Sequence, residues 1–156
     1  MLKRPGRITL CAIAAAIVVA APLVAQGEQA AIYKIRHDAY HHLGDAFKTL
    51  RDQLRSDSPD VAALKSAAQT VHEASVNQFN WFPAGSGPAP GVKTRAKAEI
   101  WSQPQDFAAA QKWFAAEAEK LGKAAAASDV AAVKNQFGAV GKACKNCHDT
   151  FRTPED

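Results

Sequence analysis

The chain has 156 residues, 47% of them hydrophobic, and sets 19 Lys and Arg against 15 Asp and Glu for a formal charge of +4. Three of the basic residues (Lys3, Arg4, Arg7) and no acidic one fall within the first 25 positions, so the remainder stands near neutrality at 16 against 15. That balance argues against a nucleic-acid-binding surface and against a polybasic membrane patch.

The opening stretch "MLKRPGRITLCAIAAAIVVAAPLVA" has the layout of a secretory signal: a charged start, an apolar stretch from Ile8 to Ala21, then small residues before a polar break. The apolar stretch is shorter than the roughly 20 residues that span a bilayer, so no stable membrane insertion is expected after processing. Cleavage is expected after Ala25 or Gly27, with export to the periplasm. Cys11 would leave with the signal, and residues 26–156 would form one domain.

Four stretches then carry helical periodicity, and none alternates like a strand. The first runs from about Ala30 to Arg55, with Ile32, Ile35, Leu43, Phe47, Leu50 and Leu54 on its inner face. "SDSP" interrupts it, and Ser58 with Pro59 is expected to start a second helix along Val61, Leu64, Ala68, Val71 and Ser75. The segment that follows carries Pro83, Pro88 and Pro90 among Gly85, Gly87 and Gly91, which rules out regular structure throughout. Ser102 and Gln105 are spaced as a capping box for a third helix, with a stripe of Phe107, Ala110, Phe114, Ala118 and Leu121. Ser128-Asp129 is placed to cap a fourth, marked by Val133, Phe137, Val140, Cys144 and Phe151. The prediction is an all-α antiparallel four-helix bundle with a long crossover between helices two and three.

"KACKNCHDTFR" carries the chemistry. C-x-x-C-H is the attachment signature of c-type haem. Two thiols one helical turn apart reach the two vinyl groups on one porphyrin edge, and the following imidazole becomes the proximal iron ligand. Cys144 and Cys147 would therefore hold one haem c covalently, with His148 on the metal. A Cys144–Cys147 disulfide would close too small a loop to stabilise much. A zinc site lacks a second cysteine pair, and a thioredoxin-like redox pair expects a βαβ setting. The only methionine is Met1, so a mature chain has no thioether for the iron's sixth position. His37, His41, His42 and His72 are the remaining strong-field candidates, and most fall off the inner face of their helices.

With this motif near the C-terminus of a four-helix chain, the sequence resembles the cytochromes c′, the class II c-type cytochromes. "YKIRHDAY", the connector "WFPAGSGP" and "AEIWSQPQDF" extend the resemblance over essentially the whole mature chain. It implies His148 as the sole protein ligand of a five-coordinate, high-spin iron. It also implies Arg36 near a propionate, Tyr40 as a bulky residue over the distal face, and Arg152 on the proximal side within reach of a diatomic ligand. His37 stands where the family usually has glutamine. Arg95 in the basic connector is a second propionate candidate by charge.

The implied roles are binding of nitric oxide or a similar diatomic gas, and electron transfer with a periplasmic redox partner that the sequence does not identify. A bis-His electron carrier is the alternative, and a peroxidase a weaker one, since no distal acid/base pair stands out. No catalytic residue is assigned. The resemblance further implies a homodimer paired through the first helices.

Overall fold

The structure, a computed structural model, describes residues 21–154, with side chains from residue 27 onward. Four long helices form the bundle: α1 (Ala21–Arg55), α2 (Val61–Asn77), α4 (Pro104–Ala126) and α5 (Val130–Phe151), with a one-turn α3 (Glu99–Ser102) ahead of α4. The expected all-α bundle and its crossover are both present, the crossover running from residue 78 to residue 103. Among the described residues the sole sheet-like pairing is one isolated bridge, Ala96 to Arg152. No helix there is long and apolar enough to cross a membrane. Most of the expected signal lies outside the described residues. The two candidate cleavage points fall within the first two turns of α1.

The inner stripes of α2, α4 and α5 are those the periodicity marks. Leu64, Val71, Leu121, Val133 and Val140 are fully buried, and Phe107, Phe114 and Ala118 join them. On α1 the register differs. Its buried line passes through Arg36, Ala46 and Leu50, while Ile35 is 61% exposed. Adjacent residues on a helix lie about 100° apart, so once Arg36 points inward Ile35 must sit on the flank. His72, expected at the surface, is half-buried against Gly122, and its Nδ1 is buried without a hydrogen-bond partner.

Two helix starts differ from expectation. Asp60, not Ser58, caps α2: its backbone is extended, and its carboxylate accepts from the backbone N–H of Ala62 at 2.8 Å and of Ala63 at 3.2 Å. A carboxylate beside two orphan N–H groups also meets the positive end of the helix dipole, which a hydroxyl two residues earlier could not reach. Ser102 caps nothing, because it belongs to α3. Helix α4 starts from Gln103 with Pro104 in its first turn, where a missing N–H costs no bond. Asp129 caps α5 as expected, accepting from Ala132 at 2.9 Å, while Ser128 turns the chain with φ 59°.

Candidate haem site

The stripe that buries Val140 and Ala143 on α5 continues into Cys144, Cys147 and Phe151. The two cysteines are free and half-buried. They face a cavity of about 890 Å³ between α1, the end of α5 and the connector. Clefts that enclose a whole organic ligand measure about 300–1,000 Å³. The residues assigned to the haem site from the sequence all line this one: Cys144, Cys147, His148 and Arg152 at the end of α5, Arg36, His37 and Tyr40 on α1, and Arg95 in the connector. Of the other candidate iron ligands His41 lines it, and His42 and His72 do not. The sequence reading missed Tyr33, Phe82, Ile100 and Lys145 as wall residues, and it took Phe47 and Phe107 only as core. No signal at those positions separates a wall residue from a core residue.

Arg36 has a richer setting than a place beside a propionate. Its guanidinium is buried, donates to Ser86 O at 3.2 and 3.3 Å and to Thr94 Oγ1 at 3.3 Å, and lies 4.8 Å over the Phe82 ring. Burial lowers its pKa from the ordinary arginine value. Its hydrogen bonds go to neutral oxygens, so its charge is solvated by connector carbonyls, hydroxyls and aromatic faces. Arg36 therefore braces the irregular segment against α1 while lining the cavity.

The connector is also zipped to the end of α5. Thr153 N–H donates to Arg95 O at 2.9 Å, Lys97 N–H to Phe151 O at 3.0 Å, and the Arg95 guanidinium to Thr153 O at 2.6 and 3.1 Å. Arg152 closes α5, its N–H donating to His148 O at 3.2 Å. These bonds hold the cysteine-bearing turn between α4 and the connector.

Burial keeps the thiols and the Tyr40 phenol of the cavity neutral. Burial pushes the Cys147 thiol up to about 11, and burial with the neighbouring Cys147 does the same for Cys144, so both are thiols at neutral pH. Burial likewise raises the Tyr40 phenol well above its ordinary range. Tyr40 packs edge-on against Trp81 with ring centroids 4.8 Å apart.

Residues 31–152 match the family described as Cytochrome C'. The chain belongs to that family. The cytochrome c′ of Rubrivivax gelatinosus is 43% identical over 120 residues, covering 75% of this chain and 90% of that protein. A solved cytochrome c′ with an unusual ligand-controlled dimer dissociation superposes with a TM-score of 0.75 at 26% identity, covering 81% of this chain and 97% of that one. The nitric oxide complex of a variant cytochrome c′ from Alcaligenes xylosoxidans gives a TM-score of 0.73 at 27% identity, covering 81% and 97%. Cytochromes c′ bind one covalently attached haem c and serve electron transfer or gas binding.

The residues present fit that group. Aromatic walls at Phe47, Phe82 and Phe107 would suit a flat apolar macrocycle, the two thiols one turn apart would suit its vinyl edge, and Arg36 and Arg95 on the lining would suit its carboxylates.

Proposed function

We propose that the chain is an exported, periplasmic cytochrome c′ that binds nitric oxide or a similar neutral diatomic gas, and that also passes electrons. Haem supplies an iron that changes oxidation state and takes a small ligand. Cys144 and Cys147 would hold it through thioethers, and His148 would be the one protein ligand. One observation carries this reading: the cavity that gathers Cys144, Cys147 and His148 from α5 is lined on the α1 side by Tyr40, which burial keeps a neutral phenol and so a poor iron ligand, while His37 and His41 line it as exposed residues. The only methionine, Met1, lies outside the described residues. Tyr40 would exclude water and tax the entry of any ligand sterically, and its O–H could donate one hydrogen bond. Arg152 would stand on the proximal side near an incoming ligand, and Arg36 and Arg95 would meet the propionates.

The optical spectrum of the haem-loaded protein tests this, ferric and dithionite-reduced, before and after nitric oxide. Broad high-spin bands that change with the gas are expected. The Tyr40→Ala variant should bind the gas about tenfold faster, as if about 1.4 kcal/mol of steric cost were removed. Sharp low-spin bands indifferent to nitric oxide would place a histidine in the sixth position and leave electron transfer as the function.

We also propose a homodimer through α1. Ile35, an apolar side chain 61% exposed on that helix, supports it, as does the dimer reported for a solved relative. Sedimentation of the haem-loaded protein at micromolar concentration should give twice the chain mass, and a monomer at all concentrations would refute pairing.

A further inference from the structure

His37 and His41 are one helical turn apart on α1, and both line the rim of the cavity. Their ring centroids are 4.4 Å apart with planes inclined by 47°. Positions i and i+4 on a helix present side chains on one face, which is why paired histidines at this spacing serve as metal chelates. Two imidazoles bound cis to one metal, each nitrogen about 2.0 Å from it, bring their centroids to about 4.4 Å. The two rings thus stand close enough for one metal ion to bridge them.

A second observation fixes which nitrogen is available. His37 Nδ1 lies 3.2 Å from Asp38 Oδ1. A carboxylate can only accept, so the proton is on Nδ1, and Nε2 of the neutral ring keeps its lone pair. Asp38 is itself held ionised: its hydrogen bonds from Lys34 and then from His37 keep its carboxyl below the usual range. A carboxylate behind a ligating histidine is the common outer-shell arrangement of metal sites, where it orients the ring and raises its basicity.

We propose that His37 and His41 form a two-imidazole chelate for a divalent transition-metal cation, copper(II) ahead of zinc(II), at the rim of the haem cavity. Among the described residues no cluster of three or more His, Cys, Asp or Glu side chains could hold a metal, so water completes the coordination. A borderline-soft nitrogen pair with open positions favours copper(II), which tolerates a tetragonal field and heads the divalent affinity order. The site uses neither His148 nor the cysteines, and a cation held there would sit at the edge of the cavity.

The test is titration of the ferric haem-loaded protein with copper(II) sulfate, followed by calorimetry and by the copper electron paramagnetic resonance signal. One copper per chain with two imidazole nitrogens is expected. The His41→Gln and His37→Gln variants should each lose affinity on the order of 100-fold, because the second ligand of a chelate acts at high effective concentration. Asp38→Asn should lose about 10- to 100-fold through the outer shell. His42→Gln, on an exposed residue that does not line the cavity, should bind as the parent does. Unchanged affinity in the His37→Gln/His41→Gln double variant, or an equal loss in His42→Gln, would overturn the proposal. So would a haem spectrum that is low-spin until His37 or His41 is replaced, since the imidazole would then belong to iron. The haem bands report on iron and the copper signal on the chelate, so failure of one reading is distinguishable from failure of the other.

Discussion

The bundle has two differently built ends. Along α2, α4 and α5, aliphatic side chains pack on one another: Leu64, Val71, Leu121, Val133 and Val140 belong to one buried cluster. At the other end α1 meets α5 only sparsely, and the space between them is the cavity. Its walls are aromatic, with Phe82 against Phe107 at 4.9 Å and Phe107 against Phe151 at 5.1 Å, joined by the buried cation of Arg36. The divide is bridged by a reciprocal pair of buried amides, Gln78 Nε2 donating to Gln111 O and Gln111 Nε2 to Gln78 O. One end holds itself together by hydrocarbon packing, whereas the other is shaped to be completed by a cofactor.

That contrast can be broken from either side. Leu121 is fully buried in the aliphatic end, so Leu121→Ala should cost about 2–5 kcal/mol in denaturant unfolding. The haem bands should be unchanged, because the cavity at the other end keeps its walls. A shifted haem spectrum would mean that the two ends are not separable. At the cofactor end, Arg36→Met should remove a cation whose charge-assisted bonds hold Ser86 and Thr94, costing about 2–3 kcal/mol. Its larger signature should be local: protease cleavage within residues 81–97 that the parent resists. Arg36→Lys should not rescue it, since one ammonium cannot span the same acceptors while stacking on Phe82. Full resistance in Arg36→Met would mean that the zipper at Arg95 and Thr153 holds the connector alone.

The aliphatic end was legible in the sequence because its information is local. Leu64, Ala68 and Val71 on α2, and Phe114, Ala118 and Leu121 on α4, repeat at helical spacing, and each is buried. The cavity's chemistry was legible for a similar reason: Cys144, Cys147 and His148 lie within five consecutive residues. What could not be read depends on partners distant in the chain. Arg36 is buried by carbonyls 45 and 50 residues away, and that inward turn is what displaces Ile35 to the surface. The start of α2 was misplaced because Ser56, Ser58 and Asp60 are all competent caps. The choice falls to Asp60, the residue whose extended backbone aims its side chain at two N–H groups, with its own N–H held by Gln53 Oε1 at 2.8 Å. His37 and His41 stand in the sequence as candidate iron ligands, and their i, i+4 spacing is legible there, but the contact between their rings is not.

The smallest effect offers the finest probe of how the connector is seated. Trp101 Nε1 donates to Pro83 O at 3.0 Å, and its ring lies over Gly87, where a Cβ would fall 3.3 Å from Cε3 and 3.4 Å from Cζ3. Gly87 has no positive φ, so an alanine there meets a steric question and not a backbone one. The indole cannot swing aside without losing the Pro83 bond and its place against Phe82, whose ring centroid is 6.1 Å away. Gly87→Ala should therefore cost about 1 kcal/mol, at the low end of what overpacking does. Trp101 fluorescence should shift as the ring tilts. A stabilised variant with unchanged fluorescence would instead mean that the connector gives by a few tenths of an ångström. In that case the lost freedom of the unfolded glycine would outweigh the contact, and Arg36, not Trp101, would be what fixes the connector's position.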